Sequence, residues 1–373
     1  MPISAYLDHN ATAPVRPEVI DALVAALADG GNPSSVHGAG RRARRAVEQA
    51  RVTLAAALGA DPAAIVFTSG ATEANHLALA GTGRRRVLVS AIEHPSVRDA
   101  LPDAGVIPVT ADGSVDLAAL ERLLGDGGDD SLVAVMAANN ETGVIQPIAE
   151  VVDLAHRYGA LVLCDAVQAF GKIPVDVRAL GADLVSVSAH KIGGPQGIGA
   201  LVVRAGTPLT APAAGGGQER GLRPGTENVA GIVGFGVAAR LAIAELDQFA
   251  ALAELRDAAE RRLLAVDPAA RVFGGTVSRL ANTSCIAMPG VRAETQVMAL
   301  DLAGIAVSAG SACSSGKVRR SRVLDAMAVP PDLAESAIRI SLGRATLPSD
   351  IDRLVDAWSM LRWRTQPIAK PAA

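Results

Sequence analysis

Apolar runs of strand length alternate with helix-like stretches along the first two thirds of the chain. The apolar runs are Ala64–Thr68, Arg86–Ser90, Leu132–Ala137, Ala160–Cys164, Leu184–Ser188 and Ala200–Arg204. The helix-like stretches between them are Glu73–Ala80, Ser96–Leu101 and Ile148–Tyr158. Because the runs are continuously apolar rather than alternating, they predict strands buried on both faces. Strands that alternate with helices predict an α/β fold with a large, mainly parallel sheet.

The last third of the chain has a different pattern. A long helical stretch, Glu227–Leu264, ends near Pro268 and is followed by shorter elements. Strands are predicted at Arg271–Phe273, Thr283–Met288, Ala306–Ser308 and Ile338–Leu342, and helices at Glu294–Leu302 and Ser349–Trp363. This order predicts a smaller α+β domain. We expect a large domain of residues 15–255 and a small domain of residues 1–14 with 256–373, whose tail, Gln366–Ala373, is frayed.

Composition narrows the class of protein. Half of the 373 residues are hydrophobic but only 2% are aromatic, so aliphatic side chains must build the core. The net charge of −3 gives no electrostatic case for a nucleic-acid or membrane-surface protein. The start of the chain lacks the pattern of a signal peptide, and no run approaches the length of a membrane helix. Three cysteines without metal-site spacing predict no disulfide framework and no metal, and favour a cytoplasmic protein.

Lysine chemistry has few candidates here. The chain has four lysines, Lys172, Lys191, Lys317 and Lys370. Lys191 follows a predicted strand and enters a glycine-rich loop, at the sheet edge where open α/β sheets bind ligands. A lysine at such a position is, on its own, more often simply solvated.

Three other segments strengthen the functional interpretation of Lys191. Asp165 ends an apolar strand, where a buried carboxylate needs a partner or serves as a helix N-cap. The turn before Thr72 leads into a helix, so it predicts an anion site or a plain N-cap. His94 follows a strand and either lies flat against an aromatic ligand or is a hydrogen-bonded loop residue. Together these side chains are what a protein needs to hold pyridoxal 5'-phosphate (PLP).

Ten segments in a fixed order extend this pattern over nearly the whole chain. They are YLDHNATAP (6–14), GNPSSVHGAG (31–40), TSGATEAN (68–75), EHPSV (93–97), NNETGVIQPI (139–148), CDAVQAFGKIPVDV (164–177), SAHKIGGPQGIGAL (188–201), GGGQERGLRPGTENV (215–229), SAGSACSSG (308–316) and IRISLGRAT (338–346). In these segments the chain resembles the cysteine desulfurases of the iron–sulfur-assembly and nitrogen-fixation type. They are class-V aminotransferases with the aspartate-aminotransferase fold of PLP enzymes.

The resemblance implies a role for each matching residue around the cofactor. Lys191 would form the Schiff base and later move protons, Asp165 would pair with the pyridinium nitrogen, and Gln168 would bond the phenolic oxygen. His94 would stack on the ring. The residues implied in phosphate binding are Ala71, Thr72, Ser188 and His190, with Thr226 reaching the phosphate from the other subunit of a homodimer.

The resemblance also implies the substrate, L-cysteine, and the sulfur chemistry. Asn140 and Arg339 would orient the substrate, Arg339 by gripping its carboxylate, which an arginine fork suits well; a core-edge ion pair is the alternative for Arg339. Cys313 would be the nucleophile that takes up sulfur as a persulfide and passes it to an acceptor or iron–sulfur scaffold protein, leaving L-alanine. The form of the cysteine loop favours direct delivery of the persulfide over dependence on an activator.

The residues themselves support Cys313 independently. It lies between Gly310 and Gly316 among small residues, in a loop that we expect to move, and the basic stretch Lys317–Arg322 follows it. Cys164 and Cys285 lie inside apolar runs, where cysteine is an inert small hydrophobe. The alternatives are a selenocysteine lyase or another aminotransferase-fold PLP enzyme, a non-enzymatic scaffold, and a nucleotide-binding Rossmann enzyme; the last lacks its glycine turn.

Overall fold

A computed structural model describes residues 5–310 and 320–365. Its strands are β1 (Ala5–Tyr6), β2 (Ile65–Thr68), β3 (Arg86–Ser90), β4 (Gly105–Ile107), β5 (Ser131–Met136), β6 (Leu161–Asp165), β7 (Leu184–Ser188), β8 (Gly199–Val203), β9 (Arg271–Phe273), β10 (Thr283–Ala287), β11 (Ile305–Ala306), β12 (Ser308–Ala309) and β13 (Ala337–Ser341). Its helices are α1 (Pro17–Asp29), α2 (Gly38–Ala57), α3 (Ala71–Gly81), α4 (Pro95–Arg98), α5 (Leu117–Leu124), α6 (Ile148–Arg157), α7 (Val177–Leu180), α8 (Val229–Ala244), α9 (Leu246–Ala250), α10 (Leu252–Val266), α11 (Ala293–Leu302), α12 (Arg322–Ala326), α13 (Pro331–Ala334) and α14 (Pro348–Thr365).

The main sheet has seven strands in the order β2–β8–β7–β6–β5–β3–β4. The pairs from β7 across to β4 are parallel, while β8 runs antiparallel to both β7 and β2. All residues of β5 and of β7 are buried, as predicted for strands covered on both faces, although β7 includes Ser186 and Ser188. The predicted α/β class with a large, mainly parallel sheet is therefore confirmed. Because β5, β6 and β7 are parallel, Met136, Asp165 and Ser188 end at the same edge.

A second sheet has the order β12–β13–β10–β9 and is antiparallel throughout. Its apolar side packs against α11 and α14 in a hydrophobic cluster that contains Ile338, Leu354 and Trp358. The start of the chain joins this cluster through Leu7, because β1 pairs in parallel with β11. The domain limits given above, residues 15–255 against 1–14 with 256–373, stay a prediction.

Two predicted elements of the last third were wrong in detail. The long helix over 227–264 is three helices, α8, α9 and α10, since the backbone leaves helical geometry at Glu245. The Glu245 carboxylate there accepts two 2.8 Å hydrogen bonds from Arg16. The predicted strand Ala306–Ser308 is split at Val307 into β11 and β12, which pair with different strands.

Six helices had no counterpart among the predicted elements: α1, α2, α5, α7, α12 and α13. The clearest case is α2, whose Arg-rich sequence is on average polar although one face, including Val47 and Leu54, is buried. Among the described residues no single helix is long and apolar enough to cross a membrane. The segments Val229–Ala244 and Leu246–Val266 are together long and apolar enough, by length and composition alone, but they are bent by 67° relative to each other.

Candidate active site

One cavity of about 640 Å³ lies where the main sheet ends and the second sheet approaches it. Its floor is formed by the ends of β5, β6 and β7, and Arg339 from β13 closes one side. The predicted site residues that line it are Ala71, Thr72, His94, Asn140, Asp165, Gln168, Ser188, His190, Lys191 and Arg339. Residues more than 250 positions apart in sequence thus face the same space.

Two predicted site residues do not line this cavity. Thr226 lies on an exposed loop before α8, outside the cavity of its own chain. That position is compatible with a role in a second subunit, which stays a prediction. Cys313 lies outside the described residues, together with Lys317, Val318 and Arg319 of the basic stretch.

Lys191 reaches the cavity from a single helical turn that follows β7. Its Nζ donates hydrogen bonds to the carbonyl oxygens of Asn10 (2.6 Å) and Ala11 (2.8 Å). Both acceptors belong to the segment that follows β1, so the start of the chain holds the amine at the cavity wall. A carbonyl oxygen accepts a hydrogen bond but does not take up the proton, so the amine stays available for chemistry.

Asp165 ends β6 and is buried beneath the cavity. Its Oδ2 accepts from Asn75 Nδ2 at 2.9 Å, and its Oδ1 accepts from the backbone N–H of Val167 at 3.0 Å. The N-cap interpretation of Asp165 is wrong, because the residues that follow form turns rather than a helix. The carboxylate keeps unused acceptor sites, since each oxygen has two lone pairs. It can therefore bond a protonated ring nitrogen.

His94 is a neutral imidazole beside the cavity. Its pKa is lowered by burial and by the charge of Lys191, against an opposing effect of Asp165. Its Nδ1 accepts the backbone N–H of Ser96 at 3.1 Å. A nitrogen that accepts from an amide carries no proton, so the neutral ring has its proton on Nε2. The ring is then fixed in orientation as well as in charge.

The start of α3 is the candidate anion site, because Gly70, Ala71 and Thr72 line the cavity there. Gly70 precedes this 11-residue helix and offers no side-chain cap to its first backbone N–H groups. Glu73 lies in the first turn, where it accepts the backbone N–H of Ser69 and a hydrogen bond from Arg223. A β-carbon placed on Gly70 would meet no atom within 4 Å, which leaves the space above the helix end open. Ser188 and His190 line the same cavity. Burial lowers the pKa of His190 to about 4, so this imidazole is neutral as well.

Arg339 brings the second sheet to the cavity. Its Nη2 forms an ion pair with Asp8 Oδ1 at 2.7 Å, and its Nη1 donates to the carbonyl oxygen of Asn140 at 3.1 Å. Both interpretations of Arg339 thus have support, since it has an ion-pair partner and also lines the cavity. Its Nε has no hydrogen-bond partner among the described residues although it is buried. The guanidinium therefore keeps donor capacity for a ligand.

The sequence reasoning missed three polar residues that organise the site: Asn10, Asn75 and Lys172. Asn10 is the most connected of them. Its side-chain Nδ2 donates to Asn140 and Thr283, and its carbonyl oxygen accepts from Gln168 Nε2 at 3.0 Å as well as from Lys191. All three lie within segments quoted above. A polar side chain among apolar or small residues indicates a buried hydrogen-bonding role, and this pattern could have identified them.

The two described cysteines are poor candidates for chemistry. Cys164 and Cys285 are fully buried, and burial raises the pKa of each thiol far above its ordinary value. A thiol that stays protonated is a weak nucleophile. Both fit the inert role predicted for them.

The residues at the cavity fit PLP. An amine, a buried carboxylate and a neutral imidazole surround a space that opens onto a helix N-terminus suited to phosphate. The chemical groups of the cofactor thus each have a complementary partner among the lining residues. His94 lies 71 positions from Asp165 and 97 positions from Lys191 in sequence, so folding alone brings the set together.

Comparisons with known proteins identify the family. The family model of the class-V aminotransferases matches residues 5–354. A cysteine desulfurase of Cereibacter sphaeroides is 45% identical, with 94% of each chain covered. A crystal structure of a NifS-like protein from Rickettsia africae superposes with a TM-score of 0.90 at 37% identity, covering 96% of this chain and 99% of that one. The structure of SspA in complex with cysteine has a TM-score of 0.78 at 29% identity, covering 92% and 100%. The chain therefore belongs to the class-V aminotransferase family of PLP-dependent enzymes, among the cysteine desulfurases.

Proposed function

We propose that this protein converts L-cysteine to L-alanine and leaves the sulfur as a persulfide on Cys313. The observation that carries the proposal is the meeting of Lys191, Asp165, His94 and Arg339 at one cavity. A cofactor site alone would serve many reactions, but a guanidinium beside it adds a site for a substrate carboxylate. The cysteine desulfurases among the relatives and the cysteine complex of SspA support the choice of substrate.

When bound, PLP would supply the electron sink that makes the substrate α-proton acidic. Lys191 would hold its aldehyde end, Asp165 its ring nitrogen, Gln168 its phenolic oxygen and His94 the face of its ring. The phosphate would lie at the start of α3, near the residues implied above: Ala71, Thr72, Ser188 and His190. The resemblance implies these assignments, and the cavity that the residues share supports them.

The chain's own groups then have separate tasks in the reaction. Arg339 and Asn140 orient the substrate, and the Lys191 amine removes and returns protons at the substrate α-carbon. The thiolate of Cys313 attacks the substrate sulfur, so that an S–S bond forms while the C–S bond breaks and its electron pair stays with the carbon fragment. Protonation of that fragment gives alanine. Neutral His94 can donate from Nε2 but cannot repel the cationic ring nitrogen.

A homodimer would complete the site. The loop that carries Thr226 is anchored by Glu219, which is buried and binds Arg51 through two short hydrogen bonds of 2.7 and 2.9 Å. Glu219 adopts a φ of +46°, which a non-glycine residue holds only when its surroundings fix it. Exposed apolar side chains on and near α1, namely Ile20, Val24, Leu27 and Val36, offer a surface for a second copy.

The product persulfide would pass to an acceptor or scaffold protein for iron–sulfur cluster assembly in the cytoplasm. A selenocysteine lyase or an aminotransferase is the competing function, since either would use the same cofactor residues. The thiol of Cys313 favours sulfur transfer, because neither competitor needs a protein persulfide.

The test is to give the purified, PLP-loaded protein L-cysteine and to measure alanine and sulfide released under reducing conditions. Parallel reactions contain selenocysteine, or cysteine with a 2-oxo acid as amino-group acceptor. We expect equal amounts of alanine and sulfide from cysteine, and no amino transfer to the oxo acid. Selenocysteine as the only substrate, or an amino acid formed from the oxo acid, would overturn the proposal.

A further inference from the structure

Lys172 is a buried lysine that the proposed chemistry does not use. Its side chain is 4% exposed, and its Nζ donates to Asn10 Oδ1 at 2.7 Å and to Gln168 Oε1 at 2.5 Å. Among the described residues, no carboxylate forms a salt bridge with it. An ammonium group buried among neutral amides is costly, so the placement of this residue calls for an explanation.

The surroundings favour an uncharged amine at Lys172. Burial lowers its pKa well below the ordinary value, and the positive charges of Lys191 and Arg339 lower it further. A neutral amine still has two N–H groups, and the two acceptors in contact with it are the side-chain oxygens of Asn10 and Gln168. The residue thus acts here as a donor of hydrogen bonds rather than as a charge.

The bond from Lys172 and the carbonyl oxygen of Asn10 together determine which way the Gln168 amide faces. With Oε1 accepting from Lys172, Nε2 donates one hydrogen to the carbonyl oxygen of Asn10 at 3.0 Å. An amide NH₂ group has a second hydrogen, and Gln168 lines the cavity. With the amide reversed, Oε1 would face the Asn10 carbonyl oxygen, and two acceptors would repel each other.

We propose that Lys172 is a positioning residue that fixes the Gln168 amide so that an N–H, and not the oxygen, faces the cofactor's ring oxygen. The inference rests on the proposed function, because it takes Gln168 as the partner of that oxygen. Its consequence is specific: Lys172 acts on the cofactor only through Gln168. Removal of either residue therefore withdraws the same hydrogen bond from the same oxygen.

The experiment is a pH titration of the absorption spectrum of the PLP-loaded holoenzyme, without substrate. A donor to the ring oxygen stabilises the form of the bound cofactor that has lost a proton, so its removal moves the titration to higher pH. We expect Lys172→Met and Gln168→Met each to raise the midpoint by roughly one pH unit. The double variant should show the shift of one single variant and not the sum.

Asn282→Ala is the matched control. Asn282 donates to the same Asn10 Oδ1 as Lys172, at 3.1 Å, but has no hydrogen bond with Gln168. Its removal disturbs the same buried cluster and should leave the midpoint as in the wild type. Should Lys172→Met fail to fold, Lys172→Gln keeps a shorter donor in place and should raise the midpoint by a smaller amount.

The outcomes separate this inference from the proposed function. A wild-type protein that forms alanine from cysteine, with no midpoint shift in either Lys172 variant, would overturn only the role of Lys172. Additive shifts in the double variant would do the same, since Lys172 would then act independently of Gln168. A wild type that binds PLP but forms no alanine would instead count against the proposed function.

Discussion

At the scale of single residues, the site depends on buried polar groups whose ionisation the fold controls. Asp165 is held by Asn75, and His94 is kept neutral by burial and by a backbone donor to Nδ1. Of the two lysines that the structure describes, only Lys191 combines a position at a strand end with a place in the lining of the cavity. Each of these side chains has a distinct and separately testable task.

Replacement of Lys191 by alanine removes the amine that is expected to hold PLP and to move protons. We expect Lys191→Ala to lose the yellow colour of the bound cofactor and to slow alanine formation by at least about a thousandfold. The control is Lys172→Met, in which Lys191 is intact and the colour should persist. Absorption spectra measure the bound cofactor, and alanine assays measure turnover. Near-normal turnover by Lys191→Ala would show that another group moves the protons.

Glu141 gives a prediction about stability and pH. Burial raises its pKa to about 7, with Ser321 and Arg339 opposing the shift and Asp325 adding to it. A carboxyl whose pKa is raised in the folded state stabilises the fold at low pH. This contribution is lost as the pH rises from the ordinary value of 4.5 to about 7.

Glu141→Gln, which cannot ionise, should therefore become more stable relative to the wild type as the pH rises. We expect the unfolding free energy of the variant, minus that of the wild type, to rise by about 3 kcal/mol between about pH 4 and pH 8. Thermal unfolding of both proteins across this range measures it. A constant difference at all pH values would mean that Glu141 does not titrate as described.

At the scale of elements, the anion site depends on how closely β8 packs against the turn before α3. A β-carbon placed on Gly199 would lie 2.7 Å from the carbonyl carbon of Gly70 and 2.8 Å from the carbonyl oxygen of Val187. Neither neighbour is the end of a flexible side chain, so the backbone of the turn itself would have to move. The helix N-terminus would move with it.

Gly199→Ala should consequently weaken the binding of PLP, by roughly tenfold in Kd. Gly275→Ala is the control, because its nearest contact would be an ordinary 3.5 Å to Val272. Equilibrium dialysis or fluorescence titration with PLP measures both. An unchanged Kd for Gly199→Ala would show that the phosphate does not depend on this turn.

Sequence reasoning succeeded best where a local pattern decides the structure. The strands Arg86–Ser90 and Leu184–Ser188 have the predicted bounds, because their Leu and Val residues suit a parallel strand that is buried on both faces. Sequence reasoning did not predict α2, because this helix is polar on average and only one of its faces is buried. It also did not predict the break at Glu245, where the carboxylate pairs with Arg16, a residue far away in sequence. The role of Asn10 was beyond its reach for the same reason, since its hydrogen-bond partners are up to 331 positions away.

At the scale of the whole molecule, the site depends on contacts between the two sheets and on contacts between two subunits. The second sheet delivers Arg339 to a cavity built mainly by the first, and the segment after β1 joins them through Asn10 and Asp8. A second subunit would deliver Thr226. The site is thus predicted to be complete only in the dimer.

Thr226→Ala tests the contribution of the second subunit. We expect the variant to remain a homodimer in sedimentation experiments but to bind PLP several-fold more weakly, since one phosphate hydrogen bond is lost. Thr276→Ala is the control. Thr276 is exposed in the turn that follows β9, so this variant should bind PLP as the wild type does. A fully active wild-type monomer would contradict the shared site.

The central claim is that sulfur from L-cysteine passes to Cys313. Cys164 and Cys285 are buried thiols with raised pKa values, which leaves Cys313 as the expected acceptor among the three cysteines. The most direct measurement is mass spectrometry of peptides from the holoenzyme after reaction with cysteine, with Cys313→Ser as the comparison. The account predicts one additional sulfur atom on the Cys313 peptide of the wild type, and neither protein-bound sulfur nor appreciable alanine in Cys313→Ser. Additional sulfur on Cys164 or Cys285, or undiminished alanine from Cys313→Ser, would contradict it.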